Sequence, residues 1–312
     1  MEKRGKKRIS VRIALLIAVF VLAAAAICVL ALYPKFFGGG EYTVCPVLSD
    51  DIADASFLVH FIDVDQGDCI LVSCDGKNML IDAGESKYAG RVRSYLKEQG
   101  VKKIDILVGT HPHADHIGAL ANIVRRFDIG TILMPKISAD TASFENLIDA
   151  VSKKGLKITS PDKGQKFALG SADITVLSPS KDAFYEENLN NYSIVLRVEY
   201  EEKVFLFTGD AERDVEYEIL RDGADIDADV LKAGHHGSSS SSSDRFIKAV
   251  SPEYAVIMLG RDNPYGHPHV ETVATFKKYR VKALRTDECG SIVFGVKDGK
   301  IGVSTEKGEK AA

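Results

Sequence analysis

The sequence predicts a layered α/β domain. Runs of β-forming residues outnumber helical runs early in the chain, helical spacing separates the later strand-like runs, and both faces of those strands need cover. From about residue 55 onward no second linker interrupts the alternation, so one domain is expected. Of 312 residues, 45% are hydrophobic and 27% charged, which excludes disorder, collagen and a disulfide mini-scaffold.

The expected organisation is a basic cytoplasmic tail at 1–10, a transmembrane anchor at 11–33, a linker at 34–54, the α/β body at 55–305 and a short tail at 306–312. Residues 13–33 contain no charge, Pro or Gly. As a helix rising about 1.5 Å per residue, they span roughly the 30 Å hydrocarbon core. A cleaved signal peptide is the alternative; the length of the run and the lack of a small-x-small site before Pro34 weigh against it. Six cations against Glu2 give the segment before Pro34 a net charge of +5, leaving −9 for the rest of a chain whose total is −4. The positive-inside rule then puts the N-terminus in the cytoplasm and the body outside. An acidic body is a poor match for grip on long nucleic acid. Gly38-Gly39-Gly40 reads as a flexible tether.

Within the body, strands are expected at 57–63 and 69–73, then a hairpin turn at Asp75-Gly76 leading into 79–81. A buried strand follows at 104–109, and Leu120, Ile123, Val124 and Phe127 set a helix over 117–127. Strands at 192–200 and 203–207 flank Glu201-Glu202. Helices are expected at 211–221 and 270–279, and strands at 230–232 and 254–259.

The chemistry concentrates after the 104–109 strand, where His111, His113, Asp115 and His116 fall within six residues. Imidazole and carboxylate are natural ligands of Zn²⁺ and similar cations, and a tight loop aims several at one point. Other polar residues stand at strand ends: Asp82, Asp210, and the pair His235 and His236. Singly, each aspartate reads as a turn former or helix cap; beside the histidine loop they become candidates to complete a metal centre.

These pieces, together with 61–68 (containing Gln66, Gly67 and Asp68), Leu80-Ile81-Asp82-Ala83-Gly84, the Asn191-to-Ser193 element, Leu231 through Ser238 and Tyr265-Gly266-His267-Pro268, carry a family resemblance. The sequence resembles the metallo-β-lactamase fold superfamily and, within it, the ComEC-type competence hydrolase domain. The resemblance implies an αββα sandwich with one or two ions, Zn or Mn, at the edge of the paired sheets. It implies that His111 and His113 hold a first ion, Asp115 and His116 a second, and that Asp210 bridges them. One of His235 and His236 completes the second position; His235 is favoured as the first residue off the strand. Asp82 is expected to orient the loop through hydrogen bonds. Asp68, Gln66, His236 and Ser238 are further candidates around the ligands or the substrate.

Two departures from the family matter. No histidine lies between Ile117 and Gly234, so the first position has at most two imidazoles plus Asp210, with help from Asn191 or Ser193 as candidates, and is expected to be weaker. Asp65 stands where the family commonly has Gly, adding a carboxylate near the mouth. His60 reads as structural. His267 is a candidate substrate contact or proton donor, and the serine run at 238–243 reads as a mobile loop. Cys69 and Cys74 have opposite parity along one strand, which argues against their bridging; Cys45 and Cys289 can pair only if the fold joins them.

The function expected is metal-dependent hydrolysis with Asp115, Asp210 and His267 in the chemistry. A divalent cation lowers the pKa of its water from 15.7 towards about 7. The substrate expected is an anionic phosphodiester, with single-stranded DNA among the candidates. Hydrolysis of a lactone, thioester or β-lactam is the alternative, as is a catalytically degenerate anchored binding module. No protein partner is inferable.

Overall fold

A computed structural model describes Cys45, Ile52 and residues 54–308. The expected anchor at 11–33 lies outside the described residues, and among those described no helix is long and apolar enough to cross a membrane.

The chain builds one sheet, then a second, then returns to the first. Strands β1 (Phe57–Phe61), β2 (Ile70–Cys74), β3 (Lys77–Ile81), β4 (Lys103–Val108), β5 (Asp128–Leu133) and β6 (Ile158–Thr159) belong to the first sheet. Strands β7 (Lys166–Leu169), β8 (Ala172–Ser178), β9 (Val195–Tyr200), β10 (Lys203–Phe207), β11 (Val230–Lys232), β12 (Tyr254–Ile257) and β13 (Lys282–Arg285) form the second. A closing hairpin, β14 (Ile292–Lys297) and β15 (Lys300–Thr305), adds to the first sheet beside β1.

Strand parity explains the layers, because successive side chains point to opposite faces. Phe57, Val59 and Phe61, with Ile70 and Val72, face Phe205, Phe207 and Val230 of the other sheet in the central core. The intervening Leu71, Leu80 and Leu107 face outward and are covered by helices Ala89–Glu98, Leu120–Arg126 and Ala142–Lys153. On the far side, Val204, Leu206 and Leu231 pack beneath helices Arg213–Arg221, Asp244–Val250 and Val270–Tyr279. Helix, sheet, sheet, helix is the αββα sandwich expected.

The topology also positions a site. Strands β3, β4 and β5 run parallel, as do β10, β11, β12 and β13. Their carboxyl ends therefore deliver residues 82, 109–116, 208–210, 233–236 and 258–260 to one edge, the place where open α/β sheets bind ligands.

Two local expectations are revised. The helix expected over 117–127 splits into Ala114–Ile117 and Leu120–Arg126. Gly118 sits at the break, where a Cβ would stand 2.7 Å from the Ser86 nitrogen and 2.3 Å from the Ala114 carbonyl oxygen. The serine run is packed rather than loose: Ser241 and Ser242 are buried, the backbone N–H groups of Ser242 and Ser243 donate to the Glu216 carboxylate, and Ser241 Oγ donates to the Gly234 carbonyl at 2.7 Å. A buried glutamate and a neighbouring carbonyl supply the hydrogen-bond partners that low complexity alone does not reveal. His60 is structural as expected, buried with Nδ1 3.0 Å from the Tyr95 hydroxyl.

Candidate metal centre

The histidine loop is latched from below. Asp82 leaves β3 in a left-handed conformation (φ 56°), fully buried. Its carboxylate accepts from the Thr110 N–H at 2.8 Å and the Thr110 hydroxyl at 2.6 Å, and lies 2.8 Å from His116 Nδ1. Burial pushes the Asp82 carboxyl up, opposed by His116. With Nδ1 engaged, His116 presents Nε2 to the edge of the sheets, 3.2 Å from Asp210 Oδ2 and 3.9 Å from Asp115 Oδ2. Gly67 permits a second latch: at φ 133°, with a virtual Cβ only 2.2 Å from the Asp115 carbonyl oxygen, no side chain fits there. The Asp68 N–H can then donate to that carbonyl at 3.2 Å.

His236 enters from the second sheet. It and His235 take φ of 52° and 45°, so the chain turns sharply as it leaves β11. His236 Nδ1 donates to the Met258 carbonyl at 2.9 Å and lies 3.4 Å from Asp68 Oδ1. Its Nε2 is 3.3 Å from Asp115 Oδ2, 3.4 Å from Asp210 Oδ2 and 3.3 Å from His116 Nε2. His235 instead turns towards the rim. Its Nδ1 is 3.1 Å from Glu212 Oε1 and 3.0 Å from Ser240 Oγ, and its Nε2 stands 4.0 Å from Asp210. The preference for His235 is thus corrected: the left-handed pair points the second histidine, not the first, into the group.

Among the described residues, Asp115, His116, Asp210 and His236 each offer a ligand atom, all within 4.8 Å of one another. Burial alone would lower His116, but Asp210, Asp82 and Asp115 raise it well above its ordinary value. Burial likewise pulls His236 down, and Asp210 and Asp115 outweigh it, holding the ring up at about 9. For Asp210, burial would raise the carboxyl, yet His116 and His236 hold it well below the usual range. The carboxylates therefore create a site that demands positive charge. Asp210 Oδ1 is buried with no hydrogen-bond partner among the described residues. A buried carboxylate oxygen left without a donor is costly unless a cation answers it, so two imidazoles, two carboxylates and this orphaned atom fit a divalent metal.

His111 and His113 lie alongside. His111 Nε2 is 3.0 Å from His113 Nδ1 and 3.8 Å from Asp210 Oδ2. Burial, then the nearby His116, lowers His111 well below its usual value. Neither extra helper faces this pair as a ligand. Ser193 Oγ accepts from the Asp210 N–H at 3.0 Å and lies 3.4 Å from His111 Nδ1, while Asn191 Oδ1 accepts from the Glu212 N–H at 3.0 Å. Both shape the Asp210 loop. Ser238 Oγ is 3.0 Å from Ser240 Oγ and accepts from the Ser240 N–H, inside the serine turn rather than at the metal group.

The group opens into a cavity of about 350 Å³ whose walls include Gln66, His113, Asp115, His235, Tyr265 and His267. Gln66 Oε1 accepts from the Gly260 N–H at 3.3 Å. Burial lowers His267 to about 4, leaving a neutral ring with Nδ1 unpartnered. Asp65, at φ 60°, accepts from the Tyr88 hydroxyl at 2.7 Å; the left-handed backbone accounts for glycine being suited to that position.

Sequence reasoning missed Lys232, fully buried, with Nζ 2.9 Å from Asp68 Oδ2. Its signal was parity: it shares the face of Val230, which lies in the central core. Glu212 was missed too. It accepts from Asn188, Asn190 and Ser240, and it faces His235.

Residues 62–261 match the family model described as Metallo-beta-lactamase superfamily. The chain belongs to that superfamily. It is 30% identical over 258 residues to ComE operon protein 3 of Bacillus subtilis, covering 77% of this chain and 33% of the relative. It is 32% identical over 248 residues to competence protein ComA of Neisseria gonorrhoeae, covering 78% and 33% respectively. These relatives support the competence-hydrolase branch, and the chain spans about a third of their length. The metallo-β-lactamase fold protein YhfI of Bacillus subtilis superposes with a TM-score of 0.52 at 14% identity, over 80% of this chain and 100% of that one; it shares the fold. In this metallo-hydrolase fold the donor set at the sheet edge implies a divalent metal.

Proposed function

We propose that this member of the superfamily is a membrane-anchored, extracytoplasmic, metal-dependent phosphodiesterase. The observation that carries the reading is the convergence of Asp115, His116, Asp210 and His236 within 4.8 Å, with Asp210 Oδ1 buried and unanswered. In this reading Asp115, His116, Asp210 and His236 would hold a zinc or manganese ion, and His111 and His113 with Asp210 would hold a second more weakly. When bound, a divalent cation supplies activation of water and neutralisation of the charge that develops on the attacked group. Asp210, fixed by Ser193 through its backbone, orients the attacking water. Asp82 and the Met258 carbonyl hold His116 and His236 in one tautomer. His267, neutral and lining the cavity, is the candidate substrate contact rather than the proton donor, because a ring held near 4 carries no acidic proton to give.

A cavity whose wall, among the described residues, contains no Lys or Arg suits a phosphodiester held mainly through cations rather than through a basic groove. With an acidic body, the substrate is a single-stranded DNA end or a small diester rather than a long duplex. The external placement rests on the uncharged 13–33 run and its basic flank. It is supported by the Cys45–Cys289 disulfide, since such bonds persist in oxidising compartments, while Cys69 and Cys74 stay free and buried.

The test uses the full chain in detergent, loaded with zinc or manganese and assayed side by side on bis(p-nitrophenyl) phosphate, single-stranded DNA and a β-lactam. Turnover of the diester and DNA is expected. Turnover of the lactam alone would replace this reading with carbonyl hydrolysis. A chain that binds no metal and turns over nothing would leave a binding module, the outcome that a first position with only two histidines makes worth testing.

A further inference from the structure

Four large hydrophobic side chains among the described residues are exposed, Ile148, Phe184, Tyr217 and Tyr265, and of these Tyr265 alone lines the metal cavity. The residue is 61% exposed, yet its ring is not without contacts. It stacks on His267 with centroids 5.6 Å apart and planes at 25°, and His269 meets His267 edge-on at 4.8 Å. The loop beneath is pinned on both sides. Asn263 Nδ2 donates to the carbonyls of Gly260 and His267 at 2.9 and 2.8 Å, and its Oδ1 accepts from the His267 N–H at 2.9 Å. The Ser239 N–H donates to His269 Nδ1 at 2.9 Å, so His269 carries its proton on Nε2 and donates to the Tyr265 carbonyl at 3.2 Å.

One face of the Tyr265 ring is thus backed by a second ring, while most of the residue remains open to solvent at the mouth of the cavity. Nothing in the packing requires an aromatic there. A rigid, half-covered ring loses little freedom when a flat ligand stacks on it, which is how aromatic side chains hold bases without reading sequence. Among the described residues no Lys or Arg lines the cavity wall, which strengthens the point, because these residues must then hold a substrate through something besides cationic side chains. We propose that Tyr265 is the stacking platform for the base adjoining the scissile phosphate, making the substrate a nucleotide-bearing diester rather than a sugar-phosphate or lipid diester. The inference rests on the phosphodiesterase reading above.

Binding is measured on the metal-loaded full chain by fluorescence anisotropy, using a short nuclease-resistant phosphorothioate oligothymidylate and the same backbone made abasic. The wild type is expected to prefer the base-bearing probe by about tenfold. In Tyr265→Ala that ratio should fall towards one, and Tyr265→Phe should keep it. A ratio unmoved by Tyr265→Ala, or lost equally in Tyr265→Phe, would overturn the platform. A parallel assay of unmodified oligothymidylate separates the two claims. Cleavage with an unmoved ratio removes the platform and spares the phosphodiesterase; no cleavage with the tenfold ratio intact removes the phosphodiesterase and spares the stacking.

Discussion

His116 and His236 each have Nδ1 tied to an acceptor buried beneath the site, Asp82 at 2.8 Å and the Met258 carbonyl at 2.9 Å. His111 has only the Thr110 and Ser193 hydroxyls, at 3.2 and 3.4 Å, and His113 has His111. One half of the cluster is thus braced by buried acids and a carbonyl, while the other rests on neutral contacts. Partners behind a ligating histidine fix its tautomer and raise its basicity, so the braced half is where a cation is expected to bind more tightly. The missing third histidine falls on the other half. Weakness in ligands and weakness in support coincide.

The largest effect should come from the residue both halves share. Asp210→Asn is expected to take diester turnover to background and to strip bound metal, checked by kinetics and elemental analysis. Next is the support under His236. Lys232→Met removes the ammonium 2.9 Å from Asp68 Oδ2 and leaves that buried carboxylate to the more distant His236 ring at 3.4 Å, with an expected stability loss of about 3 kcal/mol in denaturant melts. Pairing it with Asp68→Asn should recover much of that loss; no recovery would mean that the ion pair is not the cause. Asp82→Asn tests the braced half more gently, lowering metal affinity by about 10–100-fold in chelator competition, whereas Ser193→Ala should cost less.

The smallest effect sharpens the contrast in charge. His60 is buried with no carboxylate against it among the described residues, and burial lowers it to about 4, while His236, also buried, is held at about 9 by Asp210 and Asp115. Between the ordinary histidine value near 6.5 and 4, the unfolded chain binds the His60 proton and the folded chain does not. Its contribution is therefore present above about 6.5 and lost as pH falls, by about 2 kcal/mol at pH 5. His60→Phe should flatten that part of the stability profile measured from pH 7 to 5.

The strands were legible because burial on both faces writes short unbroken apolar runs into 70–72, 79–81 and 204–207, whereas the pairing of two sheets was implied by the family resemblance and not by those runs. The ligating loop was legible because imidazoles are scarce and crowd into 111–116. The choice between His235 and His236 was not, since alternation ends where the backbone turns left-handed at both. Lys232 was hidden for a related reason. A lysine ending a strand ordinarily reads as solvated; here Nζ donates to the Ala233 carbonyl at 2.7 Å, and Asp68 arrives from the other sheet as its counter-charge. The serine run misled because its order comes from Glu216 and Gly234, contacts that composition cannot express.

The claim on which the rest depends is that the braced half holds a cation. Zinc content after equilibrium dialysis of the full chain tests it directly, comparing wild type, His113→Ala and His236→Ala. At least one tightly held ion is expected in the wild type and in His113→Ala, and none in His236→Ala. An ion retained by His236→Ala and lost from His113→Ala would contradict the account.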